Sequence, residues 1–149
     1  MKTRPDELAL PDANVVIHLL RMDKTGQAIE AQYSLTTRRE SPILCPIVEA
    51  EVWGIARYNR WEQRQVEELR DMLRAFVRMD AIHPDIVQAY VELYCEARRA
   101  GRYQQFRQND LWIAAIARVT GAVLYTCNGK DFEWIDPAYV TVVHVDQVR

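Results

Sequence analysis

Nothing in this chain stays apolar for long. No run approaches the ~20 consecutive apolar residues that a bilayer-spanning helix needs, so no membrane partner is expected. The opening segment, Met1-Lys2-Thr3-Arg4-Pro5-Asp6-Glu7, has no apolar stretch of the kind that a secretory signal requires. Cysteine is scarce and badly spaced for pairing. Cys45, Cys95 and Cys127 are odd in number, far apart and without a Cys-x-x-Cys, which points to reduced thiols in a cytoplasmic protein. His18, His83 and His144 are scattered without metal-ligand spacing. Excess positive charge is lacking too. The net charge of −2 does not advertise nucleic-acid binding by the chain as a whole, and leaves room only for a local basic patch. There is no low-complexity segment and no internal repeat.

What is present is the composition of an ordinary globular domain. The 149 residues, 49% hydrophobic and 27% charged, make one domain of residues 1–149. A chain of this size buries roughly two-thirds of its unfolded surface, so it needs neither metal nor disulfide merely to fold.

Short apolar runs alternate with longer amphipathic ones. Leu8-Ala9-Leu10, Ile43-Leu44-Cys45, Met79 to His83, Ala122 to Thr126 and Val140 to Val145 read as strands. Helices are expected over Asn14–Leu20, Thr25–Thr37, Ile47–Tyr58, Trp61–Val77, from Pro84 to a stop at Gly101, and from Asn109 or Asp110 to a stop at Gly121. Val66, Leu69, Leu73, Phe76 and Val77 recur at helical spacing. The alternation predicts an α/β sandwich with a mainly parallel sheet and helices on both faces.

Ligands in such sheets bind beyond the carboxyl ends of the strands. Asp12 and Asp131 each follow a predicted strand, Glu51 lies in the helix after one, and Asp110 stands at a helix start. The layout brings four carboxylates towards one edge, where together they can hold a divalent cation. Taken singly, each has a plainer explanation. Asp12 and Asp110 suit helix N-caps, Asp131 suits a turn, and Glu51 suits a solvent-facing helix position.

The same residues carry a resemblance. Asp12-Ala13-Asn14 followed by an apolar helix, Cys45-Pro46-Ile47-Val48-Glu49-Ala50-Glu51-Val52, Asn109-Asp110-Leu111-Trp112-Ile113-Ala114-Ala115, and Thr126-Cys127-Asn128-Gly129-Lys130-Asp131-Phe132 occur in order. Together they resemble the motifs of PIN-domain ribonucleases, and among those the VapC-type toxins of type II toxin–antitoxin pairs. The resemblance implies a PIN-like three-layer α/β sandwich and metal-dependent endonucleolytic cleavage of RNA. It implies catalytic roles for Asp12, Glu51, Asp110 and Asp131, with Asp12 and Asp110 on the metal. Asn14, Thr126 and Asn128 would support the carboxylates or a water from behind. Mg²⁺ or Mn²⁺ is the implied ion, because hard cations prefer oxygen ligands. Implied partners are an RNA substrate, a cognate antitoxin and a second copy of the chain.

Departures from the pattern matter. Cys45 stands where serine is common, and Asn128 where aspartate is frequent, which moves the last acidic role to Asp131. The glutamate is open between Glu49 and Glu51. Ala50 before and Val52 after favour Glu51, and residues two apart on a helix face different ways.

Two basic groups, Arg98, Arg99, Arg102 and Arg107, and Arg57, Arg60 and Arg64, suit RNA phosphates or solvated helix ends. Tyr103 and Phe106 interleave with the first group, in reach of stacking on a base. Trp53, Tyr58 and Trp61, with the helices Thr25–Thr37 and Trp61–Val77, suit an antitoxin groove or simply a cover for the sheet. Two other functions compete: a PIN-like module that binds RNA or protein without cutting, and an unrelated α/β phosphohydrolase. The second usually carries Asp-x-Asp after its first strand, whereas this chain has Asp12-Ala13-Asn14.

Overall fold

The structure is a computed structural model that describes residues 7–101 and 108–149. Elements follow in the order β1 (Ala9–Pro11), α1 (Ala13–Arg21), α2 (Lys24–Tyr33), β2 (Ile43–Leu44), α3 (Pro46–Tyr58), α4 (Gln63–Arg74), β3 (Val77–Arg78), α5 (Pro84–Arg99), α6 (Gln108–Thr120), β4 (Val123–Thr126), a 3₁₀ turn (Gly129–Phe132) and β5 (Val142–His144). All strand pairs are parallel. One sheet has the order β1-β4-β5, with Leu10 opposite Leu124 and Leu124 opposite Val142; β2 pairs with β3 as a second, smaller sheet lying against β1.

β1 and β4 are buried on both faces, as apolar parallel strands must be when helices cover each side. Alternate residues feed separate cores. Leu10 and Leu124 join the larger core with α3, α4, α5 and α6, while Ala9, Val123 and Tyr125 join Val15, Leu19, Ile29 and Leu35 in the smaller one. The chain is therefore a three-layer α/β domain. Ala114, Ala115 and Ala117 let α6 press close to its neighbours, and Trp112 stacks on Tyr90 of α5 with ring centroids 4.1 Å apart.

Three expectations need correction. The helix expected over Trp61–Val77 ends at Arg74, because Val77 and Met79 donate their amides to Pro42 and Leu44 and so belong to a ladder with β2. The strand expected over Met79–His83 is accordingly displaced to Val77–Arg78. The helix expected to reach Thr37 ends at Tyr33, where Ser34 turns left-handed (φ 51°) and Leu35 drops into the smaller core. Gly101 and Gly121 stop α5 and α6 as expected, each at positive φ. Only Cys45 of the three cysteines is fully buried, and Cys95 is exposed.

The α1–α2 crossing depends on one glycine. A Cβ on Gly26 would lie 2.1 Å from the carbonyl oxygen of His18, a backbone atom that cannot swing aside. Gly26→Ala should therefore lower stability by about 1–3 kcal/mol through overpacking. The check is the urea midpoint, and an unchanged midpoint would show that the two helices part freely.

Candidate active site

A cleft of about 560 Å³ opens beyond the carboxyl ends of β1 and β4, lined by Asp12, Ala13, Asn14, Glu51, Gly54, Ile55, Tyr58, Asn59, Asn109, Asp110 and Asn128. Its carboxylates come from three elements. Asp12 follows β1 directly, and its amide donates to Tyr125 O at 2.8 Å, extending the pairing of β1 with β4 by one residue. Its side chain then caps α1, with Oδ1 accepting from Ala13 N at 2.8 Å. Thr126, the last residue of β4, donates its hydroxyl to Asp12 Oδ2 at 2.9 Å and accepts from Asn128 N at 3.0 Å. Asp12 is thus a helix cap and a cleft carboxylate at once, 5% exposed and fixed through both oxygens.

Asp110 occupies the first turn of α6 and is 8% exposed. Neither it nor Asn109 is the cap expected from the sequence, since the helix already includes Gln108. The macrodipole of α6 favours a negative charge in that first turn. Glu51 projects from α3, and its Oε1 accepts from Asn109 Nδ2 at 3.0 Å, which ties α3 to the start of α6. Glu49 faces elsewhere. It grips Arg78 of β3 in a forked ion pair with contacts of 2.9 and 3.0 Å. Asn14 Oδ1 accepts from Cys127 N at 3.1 Å, so the loop after β4 is held to α1.

The structure does not bring all four expected carboxylates together. Asp131 lies on the 3₁₀ turn, exposed and outside the cleft lining, and its carbonyl accepts from Trp134 Nε1. Asn128 reaches the cleft instead. The turn is pinned in that orientation because Gly129 N donates to His144 Nδ1 at 2.9 Å, and a Cβ on Gly129 would collide with that ring. Gly54, Ile55, Tyr58 and Asn59 are lining residues that the motifs did not single out as such. The signal was available: Gly54, Ile55 and Tyr58 follow Glu51 by three, four and seven positions, the stripe of one helix face.

The neighbouring thiols register the low polarity and the negative field. Burial first, then Asp12 and Glu51, raises Cys45 to about 11; burial first, then Asp12 and Asp23, raises Cys127 to about 11. Both thiols stay protonated at neutral pH and are poor nucleophiles.

Among the described residues, no three His, Cys, Asp or Glu side chains form a ready-made metal cage. The donor set nevertheless fits a hard cation. Asp12, Glu51, Asp110 and the amide oxygens of the asparagines are all oxygen donors, and Mg²⁺ is usually held by only one or two carboxylates, with waters and substrate phosphate completing its shell.

Of the basic groups, Arg57, Arg60, Arg64, Arg98 and Arg99 are all exposed, while Arg102, Tyr103, Phe106 and Arg107 lie outside the described residues. Arg98 stacks over Tyr94 and Arg99 pairs with Glu96. Trp53 lies under Arg70, and Trp61 packs half-buried against the larger core, so Tyr58 is separated from the two tryptophans in role.

These features define an α/β domain with an acidic, oxygen-lined cleft at the carboxyl ends of its parallel strands. The chain belongs to the PIN domain family, whose pattern matches residues 9–136. Its fold is that of several toxin–antitoxin structures. It is similar to VapBC2 from Rickettsia felis, crystallised with a DNA fragment from the promoter (TM-score 0.77, 20% identity, covering 93% of this chain and 99% of that one). It is also similar to VapBC-1 from nontypeable Haemophilus influenzae (0.75, 21%, 92% and 97%) and to a toxin–antitoxin complex from Klebsiella pneumoniae (0.67, 28%, 94% and 99%). Comparison with curated protein sequences gives no match. No helix among the described residues is long and apolar enough to cross a membrane.

The Thr126 hydroxyl is the link most easily tested. Thr126→Val should cost about 1.5–3 kcal/mol, the worth of a hydrogen bond to a charged group, and Thr126→Ser should restore most of it. Equal urea midpoints for the valine variant and the parent chain would show that Asp12 does not depend on this bond.

Proposed function

We propose that the chain is a metal-dependent endoribonuclease and the toxin of a toxin–antitoxin pair. The observation that carries this reading is the convergence of Asp12, Glu51 and Asp110, from β1's end, α3 and α6, in one cleft of a PIN-domain chain. Asp12 and Asp110 would hold a Mg²⁺ or Mn²⁺ ion. Such an ion, when bound, lowers the pKa of a coordinated water and neutralises charge on a phosphate. The protein's own contribution is orientation. Thr126 and the Ala13 amide hold Asp12 in one rotamer, and Asn109 holds Glu51 towards the cleft. Asn14 and Asn128 line the cleft, where amide donors suit phosphate oxygens. Three carboxylates in a single cleft would repel an RNA backbone unless a cation is present, so the acidic lining supports cutting over mere binding.

The similar structures are toxin–antitoxin complexes, which supports an antitoxin as the partner of this chain. A basic antitoxin side chain placed among Asp12, Glu51 and Asp110 would compete with the metal and inhibit by charge. A homodimer is part of the same reading. Val87 and Val91, exposed and four apart on α5, supply apolar surface of the kind that a second copy buries.

Cleavage of total RNA with excess Mg²⁺ or Mn²⁺ tests the catalytic claim. Asp12→Asn and Asp110→Asn should each abolish it while thermal melts stay cooperative. Glu51→Gln should cost about 10²-fold or more, the scale for losing a group that orients the reaction, whereas Glu49→Gln and Asp131→Asn should cost little. Full activity of both aspartate variants would refute the reading, and the reverse order at Glu49 and Glu51 would move the glutamate role. For association, light scattering should give a dimer mass at tens of micromolar protein, and a monomer mass there would remove the dimer.

A further inference from the structure

The cleft holds a second feature that the carboxylates do not explain. Tyr58 ends α3 with 88% of its surface exposed, by far the most exposed large apolar side chain among the described residues. It does nothing for the core, yet it lines the same cleft as Asp12, Glu51 and Asp110. Gly54 lies on the same stripe, between Glu51 and Tyr58. A glycine inside a helix is destabilising relative to alanine, and normally a close contact or a positive φ justifies it. Neither applies here: Gly54 is in regular helix, and a Cβ built on it meets no atom within 4 Å. The gap is open space on the cleft wall, walled at one end by an aromatic ring roughly 10 Å along the helix from Glu51.

We propose that Gly54 and Tyr58 form a base-binding subsite, in which an unpaired base of the RNA strand lies over Gly54 and stacks on the Tyr58 ring. The inference rests on the nuclease reading and adds to it a place for one base, which must be unpaired there because a base held within a duplex cannot be splayed onto a side chain. The surroundings agree with this use. Asn59, next to Tyr58, lines the cleft with an amide able to pair with a base edge, and exposed Arg57 and Arg60 flank Tyr58 in the chain and supply charge for the strand's phosphates. Tyr58 is here a positioning residue, not a catalytic one.

The experiment uses the full chain with Mn²⁺ and a single-stranded oligoribonucleotide carrying 2-aminopurine, read both by cleavage kinetics and by fluorescence quenching on binding. Tyr58→Ala should raise KM about fivefold to a hundredfold, the range for losing one base stack, and abolish the quenching, with kcat held. Tyr58→Phe and Tyr58→Trp should behave like the parent chain. Gly54→Leu, which fills the gap with a good helix former, should raise KM similarly while the melting temperature stays level or rises. Unchanged KM and quenching in both Tyr58→Ala and Gly54→Leu would overturn the subsite while leaving the nuclease intact. So would a Tyr58→Ala variant that cleaves normally but escapes its antitoxin, since Tyr58 would then be a protein contact. A parent chain that neither binds nor cuts the oligonucleotide would instead refute the nuclease reading itself.

Discussion

The hydrogen bond from the Thr126 hydroxyl to the Asp12 carboxylate joins residues 114 positions apart, and the rest of the site is arranged around it. It closes the gap between the ends of β1 and β4, which lie side by side in a parallel sheet. Asp12 can accept it because the same residue begins α1 and must turn its side chain back towards the Ala13 amide. Thr126 can donate it because its oxygen is also an acceptor for Asn128, which fixes the hydroxyl's direction. A buried carboxylate without such donors would be costly, since an ionised group taken out of water needs hydrogen bonds to remain charged. Here the Ala13 amide and the Thr126 hydroxyl each donate to one of its oxygens and leave the carboxylate in a defined orientation at the cleft.

The remaining carboxylates reach the cleft by helix geometry. α3 starts where β2 ends, at Pro46, so the side chains on one of its faces run from Glu51 through Ile55 to Tyr58 along the cleft. α6 places Asp110 within its first turn, where unpaired backbone amides and the helix dipole favour a carboxylate. The Asn109–Glu51 bond couples these two helices directly. A parallel sheet forces this arrangement: every strand delivers its following loop to the same edge, so groups far apart in sequence gather there.

Most of the fold was legible beforehand, for local reasons. Gly101 and Gly121 mark helix ends because a positive φ is easily reached only by glycine. Leu124 and Tyr125 read as buried strand because apolar runs without alternation must be covered on both faces. The region from Trp61 to His83 departs from its local pattern. Val77 continues the helical spacing of Leu73 and Phe76, yet it pairs with Ile43, thirty-four positions earlier. A short edge strand of two residues has almost no local signature, and only the presence of β2 decides it.

The candidate site divides the same way. The chain's order of residues determined that Asp12 would follow a strand and cap a helix, because caps and strand ends are set by nearest neighbours, and that Asp110 would fall near a helix start. It also determined that Glu49 and Glu51 would point apart, from helical periodicity alone. Only the tertiary structure decided which of them meets the cleft, because that depends on Arg78, a residue of another strand, holding Glu49 on the far side. Likewise, local sequence made Asn128 and Asp131 equally good turn residues. The choice of Asn128 as the one that faces Asp12's cleft rests on the packing of Gly129 against His144, a contact between segments fifteen residues apart that no local rule encodes.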